Sequence, residues 1–205
     1  MIEFSEIKIA DHSGFCSGVR HALDLAEQAV QDGKGPVYTW GPLVHNPRVI
    51  EDLKEKGIEP LTDLEGVPPG LLIIRAHGAP PEVFEEARQR GFTIIDGTCP
   101  SVRRCQRKAA QLVQEGKDVV VVGKRGHPEV VGICGWSGYK AVVVENPTEG
   151  QQLHFTKPVG VLAQTTQREE NFQEVVAVLR DRAPELEVYP TICGATRLRQ
   201  EAALE

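Results

Sequence analysis

One five-residue pattern occurs three times in this chain, and it constrains the fold more than any other feature. Cys16-Ser17-Gly18-Val19-Arg20, Cys99-Pro100-Ser101-Val102-Arg103 and Cys193-Gly194-Ala195-Thr196-Arg197 share one form: Cys, any residue, a small residue, Val or Thr, then Arg. Each follows a strand-like or turn-like stretch and opens a helical one, expected over Ala22–Val30, Cys105–Val113 and Arg199–Leu204. The cysteines at 16, 99 and 193 stand 83 and 94 residues apart, about the size of one small α/β unit. The repeat therefore predicts a first α/β unit over 1–97, a second over 98–191, and the first turns of a third over 192–205.

Between the repeats, short β-branched runs alternate with stretches of helical periodicity. Strands are expected at Ile7–Ala10, Val37–Trp40, Leu71–Arg75, Thr93–Asp96, Val119–Val122, Ala141–Glu145, Val159–Ala163 and Glu187–Tyr189. Apolar residues recur at helical spacing in Val19, Leu23, Ala26 and Val30, and again in Phe172, Val175, Val176 and Leu179. Continuous runs such as Val119–Val122 suit strands buried on both faces of a parallel sheet. The fold class is α/β: repeated small units, each a mostly parallel sheet with flanking helices, arranged pseudo-threefold around a central site.

A helix N-terminus carries partial positive charge and unpaired N–H donors, which favour a thiolate. A single cysteine set among small residues is ordinarily a buried apolar side chain. Three at equivalent points of three repeats point instead to a metal site with one coordination position left open, since four thiolates would close it. Zinc is one candidate for such a centre. Cys105 shares a helical stripe with Val102, Ala109 and Leu112 and is expected in the core, as is Cys134. Five cysteines, an odd number without any CxxC pair, argue against disulfides, zinc ribbons and thioredoxin-type motifs. The acidic start Met1-Ile2-Glu3-Phe4-Ser5-Glu6 does not read as a signal peptide, so a cytoplasmic location is expected. No apolar run approaches the ~20 residues of a membrane span.

A net charge of −6 argues against a general nucleic-acid binder, but a small anion needs only a local positive site. Ligands of parallel α/β sheets collect beyond the carboxyl ends of the strands. His45, His77 and His127 each follow an expected strand, in loops rich in Gly or Pro, where imidazole N–H groups can hold a diphosphate. His12, His21 and His154 lack that placement and are expected to be structural or solvated. Glu129, two residues beyond His127, is the candidate proton carrier. Gln164-Thr165-Thr166 ends an expected strand, and Thr165 or Thr166 is a candidate N-cap of the Glu169–Arg180 helix.

Seven segments, in order along the chain, together resemble one family. They are Gly14-Phe15-Cys16-Ser17-Gly18-Val19, Val44-His45-Asn46, Ala76-His77-Gly78, Thr98-Cys99-Pro100, Gly126-His127-Pro128-Glu129-Val130, Gln164-Thr165-Thr166, and Ile192-Cys193 with Arg199-Gln200-Glu201-Ala202. The family is 4-hydroxy-3-methylbut-2-enyl diphosphate reductase (LytB/IspH family), the last step of the non-mevalonate isoprenoid route. The resemblance implies a 4Fe-4S cluster held by Cys16, Cys99 and Cys193, with one iron open to the substrate's allylic hydroxyl oxygen. It implies that His45, His77 and His127 clamp the diphosphate, that Glu129 supplies protons, and that Thr165 holds the substrate hydroxyl and relays them. Isopentenyl and dimethylallyl diphosphate would be the products, with ferredoxin or flavodoxin as electron donor. The chain departs from the family at Gly194 and Leu198, where a bulkier or polar residue and a polar one are usual. It also stops where the family continues into a third unit that supplies a Ser–x–Asn segment and a later Ser. The alternatives are a non-catalytic fragment or degenerate relative that keeps the fold, or a three-cysteine zinc protein.

Overall fold

The β-branched runs become the strands of two parallel sheets in the computed structural model, which describes residues 8–204. In the first sheet, β1 (Val37–Trp40) lies between β2 (Ile58–Leu61) and β3 (Leu71–Ile74), and β4 (Thr93–Asp96) flanks β3. In the second, β5 (Asp118–Val122) lies between β6 (Ala141–Val144) and β7 (Val159–Ala163), and β8 (Leu186–Tyr189) flanks β7. The orders β2-β1-β3-β4 and β6-β5-β7-β8 are the same path traced twice.

Helices cover both faces of both sheets, again in matching places. Helices α1 (Ser17–Gln31) and α2 (Pro47–Glu55) bury Ala22, Ala26, Ala29 and Leu53 against Val37, Leu71 and Ile73. On the opposite face, α3 (Pro81–Gln89) sets Val83 and Ala87 against Tyr38, Leu72 and Ile74. In the second sheet α4 (Pro100–Gln114) and α5 (Pro128–Trp136) place Cys105, Ala109, Leu112 and Ile133 on Val119, Val121 and Leu162. Helix α6 (Pro147–Gln151) precedes α7 (Glu169–Arg180), whose Phe172, Val175, Val176 and Leu179 pack on Val120, Val122 and Val161. Helix α8 (Gly194–Ala202) follows the second sheet.

This layering explains the valine run. Val119 and Val121 face one helical layer, Val120 and Val122 the other, and none is more than 1% exposed. With both faces covered, alternation disappears from the sequence. Each such burial contributes about 1.5–3 kcal/mol. Five of the helices start on proline at the first helical positions, where its missing N–H costs nothing. Asn46 and Asn146 cap α2 and α6 by accepting hydrogen bonds from first-turn amides.

Two expectations fail. Residues 8–10 form no strand, and Ile7, the start of the strand expected at Ile7–Ala10, lies outside the described residues. The sequence reading also omits β2, because Pro60 interrupts its apolar run. Pro60 is tolerated because β2 is an edge strand, where one ladder N–H is dispensable. None of the described helices is long and apolar enough to cross a membrane.

Candidate functional site

The three repeated cysteines all stand at helix N-caps: Cys16 before α1, Cys99 before α4 and Cys193 before α8. Ser, Thr, Asp or Asn would ordinarily cap there and contribute about 1 kcal/mol. None of the three cysteine side chains makes a capping hydrogen bond, so each sulfur is free of its own helix. All three line one cavity of about 280 Å³, together with Glu129, Thr165 and His77. The approach is close. A Cβ added at Gly18 would stand 2.8 Å from Cys99 Sγ. Ser101 Oγ lies 3.9 Å from Cys193 Sγ.

Cys105 and Cys134 do not line this cavity and pack instead between α4, α5 and the second sheet. Burial pushes both thiols up, Cys105 to about 11. The arginine of the repeat serves as an anchor. Arg20 Nε donates to Phe15 O at 3.1 Å, and Arg103 pairs with Asp96 at 2.9 Å. Arg197 lies 3.9 Å from Glu169. Arg199, which does line the cavity, ties α8 to the loop before Cys16 by donating to Gly14 O at 3.3 and 3.4 Å.

Glu129, on the first turn of α5, is 1% exposed rather than a surface carboxylate. Its Oε1 accepts from the Thr165 backbone N–H at 2.6 Å and its Oε2 from Thr165 Oγ1 at 2.7 Å. Burial raises its pKa above the ordinary carboxylate value, and the two Thr165 hydrogen bonds oppose that rise. Thr165 does not cap α7. The N-cap there is Arg168, while Thr166 Oγ1 accepts from Gln164 Nε2. The capping expectation fails because Thr165 turns inward to Glu129 and the exposed Thr166 bonds Gln164, both short of the Arg168 N-cap.

His45, His77 and His127 come together, with ring centroids 5.2, 5.4 and 6.3 Å apart. One ring nitrogen of each lies within 4.8 Å of the others. His127 caps α5, its Nδ1 accepting from the Glu129 N–H at 3.2 Å, which leaves Nε2 as the proton-bearing nitrogen. Burial, with Arg75, His127 and His45 adding to it, drives His77 down to about 3. Burial and then His45, Arg75 and Lys124 lower His127 as well. Both shifts favour the neutral imidazole, which offers an N–H donor rather than a charge. His77 Nδ1 is buried with no hydrogen-bond partner among the described residues. By contrast, His12, His21 and His154 are exposed and stand apart.

Sequence reasoning missed Arg75, the fixed positive charge behind these rings. Its Nη1 donates to Pro42 O at 3.3 Å, and Gly41, at φ +67°, makes room for the guanidinium. The available signal was its position at the carboxyl end of β3, two residues before His77.

Two parallel sheets of one order, with three helix-capping cysteines opening on a shared cavity, define a repeated-unit α/β protein built around a thiol-lined centre. The LytB protein family model matches residues 7–205. This chain belongs to the LytB family. It is 44% identical over 201 residues to the 4-hydroxy-3-methylbut-2-enyl diphosphate reductase of Aquifex aeolicus, covering 96% of this chain and 69% of that protein. The enzyme of the same name from Caldanaerobacter subterraneus is 41% identical over 202 residues, covering 97% and 70%. Among solved structures, the Plasmodium falciparum E-1-hydroxy-2-methyl-but-2-enyl-4-diphosphate reductase superposes with a TM-score of 0.87 at 32% identity, over 92% of this chain and 61% of that one. An (E)-4-hydroxy-3-methyl-but-2-enyl diphosphate reductase, the terminal enzyme of the non-mevalonate pathway, gives 0.82 at 43% identity, over 96% of this chain and 71% of that one.

Proposed function

We propose that this chain carries the reaction centre of a 4-hydroxy-3-methylbut-2-enyl diphosphate reductase, which forms isopentenyl and dimethylallyl diphosphate. The observation that carries the reading is the single cavity shared by Cys16, Cys99, Cys193, Glu129, Thr165 and His77. A 4Fe-4S cluster with three protein ligands fits this donor set: three thiols from three helices, each at a partial positive helix end, and no fourth cysteine on the wall. When bound, such a cluster supplies electrons singly and one iron able to accept the substrate's hydroxyl oxygen.

The chain's own residues do the rest. Glu129, its pKa raised by burial, is the proton donor, its carboxyl already hydrogen-bonded to Thr165 Oγ1. That hydroxyl is the route by which the proton reaches the departing oxygen. The Nε2–H of His127 and the rings of His45 and His77 hold the diphosphate, with the Arg75 guanidinium supplying charge behind them. In this reading the units 1–97, 98–191 and 192–205 each contribute one cysteine. The electrons come from ferredoxin or flavodoxin, in the cytoplasm.

Anaerobic reconstitution tests the proposal. Ser in place of Cys16, Cys99 or Cys193 should each abolish most iron uptake, while Cys105→Ser and Cys134→Ser should load like the parent. Colourless parent protein carrying zinc by elemental analysis would sink the cluster reading.

A further inference from the structure

The third place of the repeated pattern holds Gly18, Ser101 and Ala195, and all three line the cysteine cavity. At two of these places the structure gives the neighbour, and it is the thiol of the next repeat: Gly18 abuts Cys99, and Ser101 abuts Cys193. At Gly18 a Cβ would stand 2.8 Å from Cys99 Sγ, so any side chain there would have to displace that thiol. Ser101 is different. It accommodates a side chain beside the neighbouring sulfur, and of the three residues only it carries a side-chain hydrogen-bond donor.

We propose that Ser101 is a positioning residue that donates its Oγ–H to the Cys193 thiolate and so sets the reduction potential of the bound cluster; this rests on the cluster reading above. The Oγ–Sγ distance of 3.9 Å suits a large, polarisable acceptor at the long end of its range. Ser101 is held in the first turn of α4, where its carbonyl oxygen also accepts from Cys105 Sγ at 3.3 Å. Its hydroxyl makes no other side-chain hydrogen bond among the described residues. A donor aimed at a cluster sulfur stabilises the more negative, reduced state more than the oxidised one and raises the potential. Because Gly18 and Ala195 offer no such donor, one ligand of three is singled out.

The test is a redox titration, followed by electron paramagnetic resonance, of anaerobically reconstituted parent, Ser101→Ala and Ser101→Thr. Ser101→Ala should load the same iron yet favour the oxidised cluster by about tenfold at a fixed potential, a negative shift of about 59 mV for a one-electron couple. Ser101→Thr, which keeps the hydroxyl, should restore the parent value. Iron–sulfur stretching bands should also lose their sensitivity to deuterated solvent in Ser101→Ala. An intact cluster with unchanged potential in Ser101→Ala would show that Ser101 is small only for packing and would overturn this proposal alone. Parent protein that takes up no cluster would overturn the cluster reading, and the role of Ser101 with it.

Discussion

Thr165→Val removes the hydroxyl held by Glu129 and leaves the rest of that contact in place. The Thr165 backbone N–H stays 2.6 Å from Oε1, while Oε2 loses the donor at 2.7 Å inside a site where Glu129 is 1% exposed. A hydrogen bond to a charged group is worth about 1.5–3 kcal/mol, and a valine methyl returns none of it. If the bond serves the carboxylate, that loss lifts the Glu129 pKa further. The sign follows from linkage. Burial already holds this carboxyl above its ordinary value, and a raised folded-state pKa means that stability falls as pH climbs through it. The destabilisation by Thr165→Val should therefore be small in acid and grow to its full size once pH passes the variant's raised value. Urea unfolding of parent and variant, carried from acid upward past the ordinary carboxylate value, measures it. Equal destabilisation at both ends of that range would refute the claim that the hydroxyl serves the charged form.

Further outcomes are expected at His77 and at Gly41. His77, held near 3, should show no imidazole titration by NMR near the ordinary value of about 6.5, and should move upward when inorganic pyrophosphate is added, because an anion favours imidazolium. Since its pKa is depressed, its contribution to stability is full above about 6.5 and lost as pH falls from there toward 3, so His77→Gln should flatten that acid limb. Gly41→Ala forces a residue with a side chain to φ +67° and puts a Cβ 2.6 Å from Arg75 Nη1. Thermal unfolding should register a loss of about 1–3 kcal/mol, and a variant as stable as the parent would mean that the Arg75 pocket is loose.

Legibility of the fold followed burial. Strands covered on both faces, such as β5 and β7, announce themselves as unbroken apolar runs, and their ends fall within a residue of expectation. Strand β2, with its exposed Glu59 and its Pro60, lacks that signal because an edge strand needs neither two apolar faces nor a full ladder. The cysteines were legible as a set because repetition marks equivalent positions. Their convergence, like the meeting of His45, His77 and His127, depends on how distant segments pack, which no local pattern encodes. The inward turn of Thr165 was hidden because a threonine just before a helix looks like a cap. Arg75 was hidden because an arginine at a strand end looks solvated until burial and its partners are known.

The placement of three thiols at positions 16, 99 and 193 has a consequence for the whole chain. Any group that binds all three also ties together segments 83 and 94 residues apart. In the chain-entropy view, each such tie removes about 4.5 kcal/mol of freedom from the unfolded chain, comparable to a disulfide closing a loop of that length. The centre is then a staple as well as a reaction site. Loading it draws distant segments of one polypeptide into a shared cooperative transition, and stripping it releases them to open separately.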